Sequence, residues 1–307
     1  MSSPAVSVIV PNFNHSKFLK ERMDSILSQT FTDYEVIILD DCSTDGSLEV
    51  IEQFRSNPKV SQIVANDANS GSAFRQWAKG IGLAKGELIW IAESDDSCDP
   101  GMLEALVKPF GTSPDLVLSF CRSAVTDACG TVTGIHKNQR RMDEPFIMDG
   151  TEFARKMLSR DNAVVNASSA IFRREAALNA DGTFLDYRAV GDWIFWTEIS
   201  RQGLVSYRPE AMNRFRQHSG GTTISMFKTL ATELELVSLF NFLRKEGLCP
   251  EWKALKPYYQ CYYYSFFRCS EKPSEEQVQF LKRSTPLPVR IFARIKHFKR
   301  RIVNGDR

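Results

Sequence analysis

No apolar run in this chain approaches the roughly 20 residues a membrane-spanning helix needs. The longest, such as Val36 to Leu39 and Leu116-Val117-Leu118, are of strand length. The N-terminus passes from Met1-Ser2-Ser3-Pro4 straight into a strand pattern, so a signal peptide is not expected. Net charge is also nearly missing: 39 Lys and Arg against 37 Asp and Glu give +2, so no global field argues for a nucleic-acid partner. The seven cysteines are odd in number and scattered, with neither paired metal spacing nor a disulfide framework, so reduced thiols in the cytoplasm are the expectation. Internal repeats and low-complexity linkers are absent. What remains is a 307-residue chain with 43% hydrophobic content, enough to bury a large core as one domain or one domain with an appendage.

The most informative segment runs from Gly86 to Asp96. An apolar stretch, Leu88-Ile89-Trp90-Ile91-Ala92, suits a central parallel strand covered on both faces, and it runs directly into Glu93-Ser94-Asp95-Asp96. Three crowded carboxylates repel one another and no apolar core tolerates them. A divalent cation resolves that conflict, and the carboxyl edge of an open α/β sheet is where ligands bind. A solvated acidic turn leading into a helix at Asp99-Pro100 is the alternative. Two further strands end in the same way: Tyr34 to Leu39 ends in Asp40-Asp41-Cys42-Ser43-Thr44-Asp45-Gly46, and Val6 to Val10 ends in Pro11-Asn12-Phe13-Asn14.

Strand and helix patterns alternate from residue 5 to about 125. Strands are expected at Val6–Val10, Glu35–Leu39, Ser61–Ala65, Leu88–Ala92 and Leu116–Phe120. Helices are expected at Phe18–Gln29, Leu48–Phe54, Ala73–Leu83 and Met102–Phe110. That alternation predicts an α/β fold, a doubly wound, mostly parallel sheet with helices on both faces. Order weakens between about 126 and 150. From Ile224 onward the pattern is helical and rich in aromatics, including Tyr258-Tyr259 and Tyr262-Tyr263-Tyr264, which suit helix packing. The expected division is therefore 1–224 for the α/β domain and 225–307 for a helical C-terminal extension.

Taken together, Pro11-Asn12-Phe13-Asn14, Ser28-Gln29-Thr30-Phe31, Asp40 to Asp45, Asn69-Ser70-Gly71 and Lys85 to Asp96 resemble the signature of the inverting family-two glycosyltransferases. The resemblance is continuous over about the first 110 residues and weaker to about residue 224. It implies a GT-A fold, a nucleotide-sugar donor (a UDP-sugar is the expectation) and a Mn2+ or Mg2+ ion.

Carried onto this chain, the resemblance places Pro11, Asn12 and Asn14 under the base and ribose. It assigns nucleoside hydrogen bonds to Asp40 or Asp41, and close approach of the loop to Asn69 and Gly71. Arg75 and Lys79 are candidates to face the phosphates, although Lys79 suits a solvated helix face equally well. Glu93-Ser94-Asp95-Asp96 stands where the family has its aspartate-rich motif, with Glu93 replacing the usual Asp. Glu93 and Ser94 fall to the donor, and Asp95 and Asp96 to the metal. Val190-Gly191-Asp192-Trp193 resembles the segment with the catalytic base, making Asp192 the base and leaving Gly191 where an acid is common. A helix cap is the plainer role for Asp192, and core packing for Trp193 and Trp196. Arg214 to Thr223 resembles a late basic loop whose Arg216 and His218 close over the diphosphate or join the metal site.

In the tail, Ile291, Ile295, Phe298 and Ile302 form one helical stripe beside Arg290, Arg294, Lys296, Lys299, Arg300 and Arg301. Such a helix suits either an anionic membrane surface or docking on its own domain. The first option fits a protein peripheral to the inner face of the plasma membrane and a saccharide acceptor carried on a polyprenyl lipid. Two other readings compete. A nucleotide-sugar binding module without activity draws on Glu93 and Gly191. A sugar nucleotidyltransferase would want a Gly-rich, Arg-containing loop where Pro11-Asn12-Phe13-Asn14 stands.

Overall fold

The computed structural model describes residues 3–218, 229–249, 251–269 and 271–304. The chain divides into two compact units, Met1–His218 and Ser219–Arg307.

The first unit is built on a ten-stranded sheet whose main path runs β3-β2-β1-β4-β9-β6-β10-β5. Here β1 is Val6–Asn12, β2 Tyr34–Asp40, β3 Val60–Ala65, β4 Leu88–Ile91, β5 Ser97–Cys98, β6 Leu116–Thr126, β7 Val132–Ile135, β8 Phe146–Asp149, β9 Ala170–Arg173 and β10 Leu204–Arg216. Strands β3, β2, β1 and β4 are all parallel. Only β9 interrupts that sense between β4 and β6, and β10 again runs parallel to β6. Every residue of β1, β2 and β4 is buried, as their near-continuous Val, Ile and Leu content requires of strands covered on both faces.

The helices of this unit are α1 (Ser16–Leu27), α2 (Ser47–Glu52), α3 (Ala73–Leu83), α4 (Met102–Thr112), α5 (Gly150–Phe153), α6 (Arg174–Leu178) and α7 (Gly191–Ser200). Helix α1 buries Phe18, Leu19, Arg22, Met23 and Ile26, so one arginine lies on its apolar face. Asp45 fixes the starts of two helices: its Oδ2 accepts from Ser16 N at 2.8 Å and its Oδ1 from Ser47 N at 3.1 Å. One carboxylate thus anchors the first turns of both α1 and α2.

The parallel register sets the site. Asn12 and Asp40 are direct partners at the carboxyl ends of β1 and β2, and Ala92 N bonds to Ile9 O, which brings the end of β4 beside them. Short β5, just after Asp96, pairs antiparallel with β10 at Ser97 with Arg214 and Cys98 with Asn213. Strand β10 therefore returns from across the sheet to deliver Arg216 and His218 against the acidic turn. The second unit holds helices Leu230–Lys245, Glu251–Phe267, Glu275–Ser284 and Leu287–Asn304 among its described residues.

Candidate active site

The loops after β1 and β2 are laced together. Asn12 Nδ2 donates to Asp40 Oδ1 at 2.8 Å and to Ser43 Oγ at 3.1 Å, and Asp40 Oδ2 accepts from Ser43 N. Asn14 and Cys42 hold positive φ values of 56° and 63°, and Asn14 Oδ1 accepts from Thr44 N at 2.8 Å. Asp41 is a hub. Its carboxylate accepts from Asn66, Gln76 and both the N–H and the hydroxyl of Ser70, and its carbonyl accepts from Asn69 Nδ2. Gly71 follows with φ 73°, a backbone that few side-chain-bearing residues adopt.

Both aspartates are turned inward. Asp40 has no exposed surface and Asp41 only 4%, and their oxygens are already engaged within the protein. Both brace the loops after β1 and β2, and Asp40 has no surface to offer a ligand directly. Pro11 and Asn12 are buried, whereas Phe13 and Asn14 are exposed. Arg75 is exposed, with Nη1 3.3 Å from Ser70 O, and Lys79 bonds to Asn66.

The acidic turn after β4 sends its three carboxylates in different directions. Glu93 turns to Trp77, whose indole N–H donates to Oε1 at 2.8 Å. Burial, and next the charge of Asp95, push its carboxyl up to about 8. That environment favours the protonated carboxyl. Asp96 turns inward as well: its Oδ2 accepts from Asn166 Nδ2 at 2.8 Å and from Ser168 Oγ at 2.7 Å, and its Oδ1 from Arg216 N at 2.9 Å. Burial and the Asp95 charge push it up to about 7.

Asp95 points elsewhere. Its Oδ2 lies 3.0 Å from His218 Nε2. Burial raises its carboxyl, but the His218 hydrogen bond and the nearby His15 and His218 rings pull harder, and the net position is below the usual carboxylate value. His15, the residue just before α1, joins this pair: ligand atoms of His15, Asp95 and His218 all lie within 4.8 Å of one another. Burial lowers His15, which favours the neutral ring. Two imidazoles and a carboxylate could hold a divalent transition ion. Of the three expected ligands, the structure brings together Asp95 and His218; Asp96 is not in the group, because its Oδ2 is held by Asn166 and Ser168 and its Oδ1 by Arg216 N.

Arg216 is buried rather than open to a diphosphate. Its Nε donates to Asp95 O at 2.8 Å, its Nη2 pairs with Glu21 at 2.6 Å, and its guanidinium lies 4.9 Å over the Phe18 ring. Ser94 Oγ sits 2.8 Å from His15 Nδ1.

Asp192 lies in the first turn of α7, where its Oδ1 accepts from Trp193 N and its Oδ2 from Asn162 Nδ2, both at 2.8 Å. Burial pushes the carboxyl up to about 7 despite those bonds. A base tuned near 7 has the right affinity to take a proton from a hydroxyl at neutral pH. Gly191 has no room for a side chain: a Cβ there would stand 2.5 Å from Phe184 O and 2.5 Å from the Phe74 ring. Trp196 is fully buried among Phe172, Phe195 and Trp77, and so belongs to the core.

Sequence reasoning missed His15, Arg22, Asn162, Asn166 and Ser168. For Arg22 a signal existed: it falls on the stripe Phe18, Arg22, Ile26 of an otherwise apolar face. Its guanidinium rests 5.0 Å over the Trp90 ring, and its charge counters the rise at Glu93 and Asp96. No local pattern marks the other four.

An open sheet with this acidic turn at the carboxyl end of a central strand is the GT-A form of nucleotide-sugar transferase. Residues 7–179 match the model of glycosyl transferase family 2, and the chain belongs to that family. An uncharacterised glycosyltransferase of Haemophilus influenzae is 25% identical over 255 residues, 80% of this chain and 76% of that protein. The poly(ribitol-phosphate) beta-N-acetylglucosaminyltransferase TarS of Staphylococcus aureus is 39% identical over 94 residues, 29% of this chain but only 16% of TarS. The crystal structure of TarS 1–349 in complex with UDP-GlcNAc aligns with a TM-score of 0.67 at 18% identity, over 96% of this chain and 88% of that one. The mannosyltransferase PcManGT from Pyrobaculum calidifontis, in complex with GDP-Man and Mn2+, aligns at 0.59 with 17% identity, over 96% and 80%.

Proposed function

We propose that this glycosyltransferase moves a hexose, with inversion, from a UDP-sugar to a saccharide acceptor in surface-polysaccharide assembly. The observation that carries the reading is the convergence of Asp95 and His218 at the end of the β5–β10 pairing, with Asp192 held as a buried base near neutral affinity. The UDP complex of TarS supports a uridine donor, and the GDP-Man and Mn2+ complex of PcManGT supports a divalent ion.

Asn12, Asp41, Asn69 and Gly71 shape the pocket for the nucleoside, with Asn14 at its rim. A Mn2+ or Mg2+ ion held at Asp95 and His218 would supply Lewis-acid stabilisation of the departing diphosphate. Asp192 accepts the acceptor hydroxyl's proton as the oxygen attacks the anomeric carbon and the UDP oxygen leaves. One carboxylate suffices for one displacement, so the configuration inverts.

The work site is the cytoplasmic face of the plasma membrane, with a polyprenyl-linked acceptor. In the helix Leu287–Asn304, Val289 and Ala293 are buried, while Leu287, Ile291, Ile295 and Phe298 are 49–66% exposed beside Arg290 and Arg294. No described helix is long and apolar enough to cross a membrane. An apolar stripe flanked by cations suits an anionic lipid surface.

The test is calorimetric titration of UDP with and without manganese, followed by transfer assays over a panel of nucleotide-sugars. Manganese-dependent UDP binding and transfer from a UDP-hexose are expected. Equal UDP affinity with and without metal, or transfer only from a guanosine donor, overturns the corresponding part.

A further inference from the structure

Resting on the metal-dependent reading above, we infer that His15 is a third protein ligand of the cation, oriented by Ser94. Its place is fixed by chain geometry. β1 ends at Asn12, α1 begins at Ser16, and Asp45 pins that first helical N–H, so His15 has little freedom between two anchored elements. Its ring lies 5.4 Å from that of His218, edge to face, with the ligand atoms of both within 4.8 Å of each other and of the Asp95 carboxylate. Donor atoms gathered that closely could share one cation after side-chain rotation.

Ser94 Oγ, 2.8 Å from His15 Nδ1, completes the pattern. Histidines that bind metals bond their second ring nitrogen to a neighbouring polar group, which fixes the tautomer and the ring plane. Ser94 is itself buried in the acidic turn, one residue before Asp95, so the same backbone segment positions the carboxylate and the ring's orienter.

Two consequences separate this arrangement from a carboxylate-only site. Three protein donors hold an ion before any diphosphate arrives, so nucleotide is not needed for binding. Two imidazoles favour Mn2+ over Mg2+, which takes oxygen ligands and keeps its waters.

Mn2+ binding to the full chain, followed by electron paramagnetic resonance without nucleotide and again with UDP, tests this. Pulsed measurements count the imidazole nitrogens coupled to the ion. Wild type should bind one Mn2+ without UDP and show two nitrogens. His15→Gln should show one and bind at least about 10-fold more weakly, Ser94→Ala should weaken binding by about 10-fold, and His15→Asp should narrow the preference for Mn2+ over Mg2+. A single nitrogen in wild type, or two persisting in His15→Gln, removes His15 from the ligand set and leaves the metal-dependent reading intact. If wild type binds no Mn2+ even with UDP present, both fall. The wild-type count decides the matter even where a variant misfolds.

Discussion

Asn162 donates its side-chain N–H to Asp192 at 2.8 Å, and four residues later Asn166 does the same for Asp96 at the same distance. One loop thus grips the candidate base with one end and the acidic turn with the other. Ser168 strengthens the second grip, donating to Asp96 while accepting from Glu93 N. Coupling two carboxylates from distant parts of the sequence through one segment keeps the candidate base and the acidic turn in fixed register.

From that relationship comes a prediction about pH. Asp192 must be ionised to accept a proton, and burial holds it near 7. Transfer should therefore fall about tenfold per unit below pH 7 and level off above it. The Asn162 bond favours the charged form, so Asn162→Ala should move the midpoint upward as well as lower the rate. Asp192→Asn should cost about 10²–10⁴-fold in transfer, with UDP–manganese binding near normal. A midpoint unmoved in Asn162→Ala, in steady-state rates across pH 5.5–9, assigns the base elsewhere.

The sheet, the four-stranded parallel block and the acidic turn were legible because each rests on local pattern. Buried strands read as runs of Val, Ile and Leu, and carboxylates at their ends stand out. The destinations of those carboxylates were not legible. Whether Glu93, Asp95 or Asp96 faces the ion depends on Trp77, Asn166, Ser168 and the return of β10, and these meet only through long-range pairing. His15 looked like an ordinary loop residue because its partners are 79 positions away, at Ser94, and further still at His218. Gly191 read as a departure from the family pattern; the Phe74 ring beside it shows what takes up the space.

Stability of the metal-free protein should decline as pH rises. Unfolded, Asp96 and Asp192 ionise near 3.8 and Glu93 near 4.5; folded, they keep their protons to about 7, about 7 and about 8. Between those limits these three carboxyls bind more protons in the folded chain and weaken it as pH rises; the lowered His15 and His136 act the other way, but only up to their unfolded value of 6.5. Asp95, displaced the other way, contributes stability already complete above its unfolded value. Thermal unfolding with chelator present should give a higher Tm at pH 5.5 than at pH 8.5, and Glu93→Gln should narrow the gap. A Tm rising across that range means these carboxyls are not held as the geometry implies.

The tail is expected to bind lipid. Full-length protein should sediment with vesicles containing anionic lipid at low salt, less so at high salt, because the attraction is screened. Replacing Ile291 and Phe298 with Ser should abolish it while leaving transfer to a soluble acceptor unchanged. If the wild type ignores such vesicles, the exposed stripe has another occupant.

Restoring the acid that the family commonly carries at Gly191 should harm this protein. Any Cβ at that position meets Phe184 O and the Phe74 ring at 2.5 Å, closer than side chains tolerate. One contact is backbone, and the Phe74 ring is confined by Trp77 at 5.1 Å and Phe184 at 6.3 Å. Neither neighbour can yield without moving α7, and with it Asp192. Gly191→Ala should cost about 1–3 kcal/mol, the usual range for overpacking, and Gly191→Glu more, with transfer falling further than stability alone explains. Trimming the obstacle in a Phe74→Ala, Gly191→Glu double variant should recover part of the loss, since the two positions share one volume and are not independent. Thermal melts and transfer rates of the four proteins complete that cycle. Additive losses would show that Phe74 does not occupy the missing acid's place.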